Sequence, residues 1–87
     1  RLPFPPLTEE RRRELVKQCK TYAEEARIAV RNARRDANSE IDKLVKNENL
    51  PEDEKRRAED EIQKITDGYV ASIDEAFKAK EAEVMAI

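Results

Sequence analysis

The chain has 87 residues, 44% of them charged and 38% apolar, with one glycine, no histidine and no tryptophan, which bounds it to one small domain with a thin core. Without histidine there is no imidazole acid–base chemistry or histidine metal ligation, and neither a glycine-rich phosphate loop nor a GxSxG elbow occurs, so an enzyme is excluded and no metal site or cofactor is expected. The net charge of −2 conceals a split: residues 11–35 carry nine Lys/Arg against three Asp/Glu, a net of +6, whereas residues 36–87 carry eight against fifteen, a net of −7.

Cys19 is the only cysteine, so no intrachain disulfide forms and a reducing, cytoplasmic location is expected. No apolar run approaches the roughly 20 residues that span a bilayer, and the first ten residues lack the apolar stretch of a signal peptide. The chain opens on Arg1 rather than methionine, which points to a fragment or a processed form.

Residues 1–7, RLPFPPL, contain three of the four prolines. Pro3, Pro5 and Pro6 lack amide donors and bias their predecessors to extended geometry, so a stiff lead-in is predicted. Thr8 is a good helix N-cap, followed by Glu9 and Glu10 at the positive end of the helix dipole. No Pro or Gly then interrupts the chain until Pro51, and one helix is predicted from about Thr8 to Lys46, roughly 55–60 Å long. Its apolar positions are Leu15, Cys19, Tyr22, Ala26, Ala29, Ala33, Ala37, Ile41 and Leu44. They follow a heptad seam to Ala33, after which an eleven-residue unit relaxes the left-handed supercoil.

Asn47, Glu48 and Asn49 are read as a turn, and Pro51 as the opening of a second helix whose first turn holds Glu52, Asp53 and Glu54. Its seam is Ala58, Ile62, Ile65, Tyr69, Ile73, Ala76 or Phe77, Val84 and Ile87. Asp42–Lys46, Glu52–Arg56, Asp53–Arg57, Asp60–Lys64 and Asp74–Lys78 are acid-before-base pairs at i,i+4 that support helix by about a few tenths of a kcal/mol each. Gly68, a costly residue in mid-helix, is read as a close helix contact or a mild weak point. The fold expected is all-α, an antiparallel hairpin of two long helices. Val16, Ile28, Val30 and Val45 widen the first helix's apolar face beyond one partner, so a third helix or a second copy should cover it.

Cys19 could be offered as a nucleophile, but it sits in the seam with no base and reads as a structural thiol. The clusters Glu52–Asp53–Glu54 and Glu59–Asp60–Glu61 diverge around the helix and read as solvated faces rather than metal ligands. The basic stretch is more informative. At about 100° per residue from Arg27, Lys20, Arg31 and Arg34 fall within about 40°, with Arg13, Lys17 and Arg35 beside them and Glu24 the one interruption. Asn38 extends the stripe with a neutral donor and acceptor. Arginine forks at helical intervals can bridge phosphate oxygens, and this stripe lacks the i,i+4 acids of the second helix. Polyanion binding is the expectation from the pattern; a plain solvated face is the alternative. Few aromatics lie outside the seam, which argues against a base-stacking platform for single strands.

The residues also resemble a known family. Arg1–Arg13, RLPFPPLTEERRR, looks like the hinge and helix start of bacterial ribosome recycling factors. Glu25–Asn38, EARIAVRNARRDAN, is similar to the family's arginine-rich helix, and Glu52–Asp67 with Lys80–Met85 is similar to its last helix. The resemblance implies an L-shaped, transfer-RNA-like protein in which a three-helix bundle and a β domain meet at a hinge. Such a protein splits ribosomes after termination together with elongation factor G. It implies that Leu2, Pro3, Pro5 and Pro6 belong to the hinge, residues 1–7, and that residues 8–87 are a hairpin of the three-helix bundle. The first bundle helix and the inserted β domain are absent from this chain. It further implies that Arg31, Arg34 and Arg35 contact large-subunit ribosomal RNA; Arg27 is added from the helical geometry. The expected partners are the large ribosomal subunit and elongation factor G, with no membrane and no small-molecule substrate. The competing expectation is a self-associating structural hairpin whose stripe is incidental. A general DNA-binding hairpin ranks third, because the basic residues do not form a recognition helix with a dimer-spaced partner.

Overall fold

A computed structural model describes residues 7–86. The hinge residues Leu2, Pro3, Pro5 and Pro6, and the seam position Ile87, lie outside the described residues. Two helices account for nearly all of the rest: α1, Glu9–Glu48, and α2, Glu52–Ala86. They pack antiparallel into a rod of 71 × 16 × 15 Å, the all-α hairpin expected.

Thr8 caps α1 as its chemistry requires. Its backbone is extended, its hydroxyl accepts the Arg11 amide at 3.0 Å, and Glu9 and Glu10 follow in the first turn. We expect Thr8→Ala to destabilise the chain by about 1 kcal/mol, read as a lowered thermal midpoint. The predicted end of α1 was short by two residues. Asn47 and Glu48 remain helical, and Asn49 closes the helix in the left-handed region at φ 53° and ψ 43°, a conformation asparagine tolerates better than most side chains. Pro51 precedes α2, and its carbonyl accepts the Lys55 amide at 3.0 Å.

The contact between the helices is rotated from the predicted seams. On α1 the buried apolar residues are Ala23 and Ile41, flanked by half-buried Val16, Cys19, Ala26, Val30, Ala37 and Val45. Tyr22 is 66% exposed, and Ala29, Ala33 and Leu44 are also exposed. On α2 the buried positions are Thr66 and Val84, while Ile65 and Tyr69 are open, the latter at 61%. Thr66 tolerates burial because its hydroxyl donates to the Ile62 carbonyl at 2.8 Å.

The rotation has a simple cause. Each helix of the hairpin has one neighbour, and its apolar stripe is wider than a single neighbour covers. α2 therefore covers one edge of the α1 stripe, and the other edge forms an open apolar groove. One end of the groove is lined by Val30, Ala33, Ala37, Ile62, Ile65 and Tyr69. The other is lined by Tyr22, Ala26, Ile73, Ala76 and Phe77. Ala23, Ile41, Thr66 and Val84 are buried where the helices meet, and Tyr22, Ile65 and Tyr69 stand on the open side.

The five predicted i,i+4 ion pairs are not formed among the described residues. Asp42 pairs instead with Lys55 across the turn at 3.4 Å, and Asp74 with Arg27 across the helices at 2.7 Å. The pairs formed within a helix are spaced i,i+3: Arg11–Glu14, Glu24–Arg27, Glu40–Lys43 and Lys80–Glu83. Tertiary partners thus captured Asp42 and Asp74, which local spacing had assigned to Lys46 and Lys78. The hydrogen bond and charge of Asp42 raise the pKa of the Lys55 ammonium above its ordinary value, with Glu59 and Glu52 adding to the effect.

Gly68 is helical, and a Cβ built on it meets nothing within 4 Å. The predicted close contact is not made within the hairpin, which leaves the weak-point reading. Gly68→Ala is expected to stabilise the chain by about 0.5–1 kcal/mol, through helix propensity alone. Urea denaturation checks this, and a stability loss would show that the position serves a contact on the open side. No helix among the described residues is long and apolar enough to cross a membrane.

Candidate nucleic-acid interface

Around the circumference of α1, three bands follow from the 100° step. The exposed apolar flank carries Tyr22, Ala29, Ala33 and Leu44. The hairpin contact carries Ala23, Val30, Ile41 and Val45. The basic band begins where that contact ends, with Lys20, Arg27 and Arg31, and runs outward to Arg13, Lys17 and Arg35. Burial grades across this border as the angles require: Arg27 and Arg34 are half-buried, and Arg31, Arg35, Lys20, Lys17 and Arg13 are exposed.

The four arginines singled out by sequence are therefore not equivalent. Arg31 is exposed, and no ion pair within 4 Å engages it or Arg34 among the described residues. Arg34 is half-buried at the hairpin border, where it lines the groove with Val30, Ala37, Thr66 and Tyr69. Arg35 is exposed, and its Nη1 donates to Asn32 Oδ1 at 3.5 Å, a long contact that leaves the fork accessible.

Arg27 differs from all of them. Its Nη1 donates to Asp74 Oδ1 at 2.7 Å, its Nη2 to Glu24 Oε2 at 3.3 Å, and its side chain is only 18% exposed. The sequence reading gave the stripe no matched acids; for Arg27 the match comes from the other helix and from Glu24 at i−3. Asn38 also sits differently from expectation. It is half-buried at the hairpin, and its side-chain carbonyl oxygen is buried with no hydrogen-bond partner. It is therefore not an open extension of the stripe.

Asp74 is the residue the sequence reading missed. The turn supplies the signal: Arg27 lies 23 residues before Leu50 and Asp74 lies 24 after it. Two straight antiparallel helices with equal rise bring such residues level. The acid clusters of α2 form no group that could hold a metal ion among the described residues. Cys19 is half-buried against Ala23, Ala26, Ile73 and Phe77, an apolar recess for a small thiol.

What the face can do follows from its parts. Arg31, Arg34 and Arg35 span about 1.1 turns of a straight helix, with Arg31 about 5–6 Å from each of the other two at i,i+3 and i,i+4. Successive phosphates on a strand are of comparable spacing, and guanidinium forks bridge phosphate oxygens bidentately. No aromatic ring lies among these arginines in the sequence VRNARRDAN, so the face is suited to phosphate backbone rather than to base stacking.

Comparison with known proteins places the chain in a family. The family model described as ribosome recycling factor matches residues 1–85. The chain is 58% identical over 87 residues to the ribosome-recycling factor of Nitrosomonas europaea, covering 100% of this chain and 47% of that protein. It is 56% identical over 84 residues to the ribosome-recycling factor of a Sulfurovum species, covering 97% of this chain and 45% of the relative. The factor of Burkholderia mallei is 56% identical over 87 residues, again 100% of this chain against 47% of its own length. The chain thus spans about half the length of the curated relatives it matches.

Proposed function

The chain belongs to the ribosome recycling factor family, and on that premise we propose that it is the RNA-docking part of a factor that recycles ribosomes after termination. In this reading α1 lies along large-subunit ribosomal RNA, with Arg31, Arg34 and Arg35 on phosphates and Arg27 at the border of the same face. The mechanism is electrostatic and mechanical, and this chain makes or breaks no bond. Docking by the bundle, coupled in the whole protein to elongation factor G, promotes separation of the subunits in the cytoplasm.

The observation that carries the reading is the state of Arg31, which is exposed, engaged by no acid among the described residues, and followed at one turn by Arg34 and Arg35. The open groove is consistent with it. The relatives are about twice as long as this chain, and a further helix from the rest of the protein would cover Ile65, Tyr69 and Tyr22 and complete a three-helix bundle. The proline-rich residues Leu2, Pro3, Pro5 and Pro6 would then serve as the hinge to the other domain.

The test is co-sedimentation with purified large ribosomal subunits at two salt concentrations. Binding should weaken steeply as salt rises, because each phosphate contact releases condensed counterions. Binding that ignores salt would overturn the electrostatic mechanism.

A second reading rests on the same groove. Large exposed apolar surfaces drive association, and Tyr22, Ile65, Tyr69 and Leu44 could be covered by another copy of the chain. Sedimentation equilibrium separates the two, since a folded, strictly monomeric chain excludes self-association.

A further inference from the structure

Arg27 and Asp74 belong to a longer pattern. Lys20, Arg27 and Arg34 recur at heptad spacing on α1, and Asp67, Asp74 and Glu81 recur at the same spacing on α2. With Arg27 and Asp74 joined at 2.7 Å, the antiparallel register puts Lys20 level with Glu81 and Arg34 level with Asp67. Lys20 and Glu81 do line one surface cleft together. Yet only the middle rung of this ladder is closed. No ion pair engages Lys20 or Arg34 among the described residues, and Asp67 accepts from Gln63 Nε2 at 2.8 Å instead.

The closed rung sits where it constrains most. Both nitrogens of the Arg27 fork are held, one by the facing helix and one by Glu24 on its own helix. Glu24, on α1 itself, orients the planar fork, and the bond to Asp74 on α2 is the tie that resists rotation of α1 against α2. Rotation of α1 is the motion that matters for RNA. All the phosphate-reading arginines are on α1 and the facing acids are on α2, so a roll in one direction carries Arg34 toward Asp67. A roll in the other turns Arg31 and Arg35 together and changes the direction in which the arginine face stands relative to α2.

We infer that Asp74 is a positioning residue for the RNA face, acting through Arg27 to fix the roll of α1 against α2. This rests on the RNA-docking reading above. It assigns Arg27 a role within the protein, with Arg31, Arg34 and Arg35 as the groups that meet phosphate. It also predicts the opposite sign from simple charge counting. Removing an acid beside a phosphate-binding stripe should tighten binding if Asp74 merely repels RNA. If Asp74 positions the stripe, removing it weakens binding.

The experiment measures affinity of the full-length factor for large ribosomal subunits across a salt series, with helicity and thermal midpoint recorded for each variant. Asp74→Asn is expected to weaken binding about tenfold and to lower the slope of log affinity against log salt by about 0.7–0.9, one phosphate contact. Asp74→Glu should restore both. A purely structural loss would lower the midpoint and the amount bound without changing the slope. Affinity that rises or stays unchanged in Asp74→Asn overturns the proposal. Arg31→Gln, measured alongside, separates the failures: if it lowers the slope and Asp74→Asn does not, positioning is wrong and RNA docking stands. If neither moves, both are wrong. Should Asp74→Asn lose helicity, the charge swap Arg27→Asp with Asp74→Arg decides. A folded swap with the parental slope supports the strut, and a folded swap with a reduced slope refutes it.

Discussion

Replacing Arg31 and Arg34 together by glutamate is expected to abolish binding to large ribosomal subunits while leaving helix content intact. Each arginine on a phosphate forms charge-assisted hydrogen bonds worth about 1.5–3 kcal/mol, so losing two contacts costs about 3–6 kcal/mol, or a factor of about 10²–10⁴ in affinity. Placing carboxylates there adds repulsion from the polyanion. The helix should not suffer. Arg31 is exposed, neither residue is held by an ion pair among the described residues, and glutamate has a helix propensity close to that of arginine. Co-sedimentation reads the first effect and circular dichroism the second. Unchanged binding in a folded double variant would remove the basis for an RNA face on α1.

The contrast with Arg27→Gln sharpens this expectation. Arg27 is held by Asp74 and Glu24 and is largely shielded, so its direct contribution to counterion release is small. Its loss should act through hairpin geometry and stability. Equal effects of Arg27→Gln and Arg31→Gln on the salt slope would mean that the RNA pulls Arg27 out of its pair.

Much of this molecule is legible in its sequence, and the boundary of legibility is physical. Helix type and extent follow from local signals: the Thr8 cap, the uninterrupted run to Asn49 and Pro51, and the acidic first turns. Those are interactions within three or four residues, and the chain spells them out. The arginine stripe is legible for the same reason, since helical geometry alone sets its angles. Partners across the hairpin are not local. The heptad pattern marks which residues avoid water, but it does not say which neighbour covers which edge. Tyr22 and Ala23 are adjacent in the chain and opposite in fate, one 66% exposed and the other buried. Periodicity favoured the larger apolar residue, whereas packing placed the smaller one where two backbones approach. Asp74 was assigned to Lys78 by spacing and pairs with Arg27 instead, because a fork that also bonds Glu24 offers better geometry than a flexible ammonium.

The sharpest consequence of that sorting lies in two residues that periodicity treats alike. Ile41 and Leu44 are consecutive positions of one predicted seam, yet Ile41 is 7% exposed and Leu44 is 44% exposed. Ile41→Ala removes buried methyl groups from a contact with few buried side chains, and should cost about 2–5 kcal/mol. That is a large share of the stability of so small a domain. Leu44→Ala leaves no cavity, because much of its surface already meets water, and should cost about 1 kcal/mol or less in this chain. The same pair also tests what covers the groove. In the full-length factor a third helix would bury Leu44, and Leu44→Ala should then cost about as much as Ile41→Ala does. Urea denaturation of both variants, in this chain and in the full-length factor, gives the four values needed. A Leu44→Ala cost that stays near 1 kcal/mol in the longer protein would mean that no helix covers Leu44, and the three-helix reading would fail at this end of the rod.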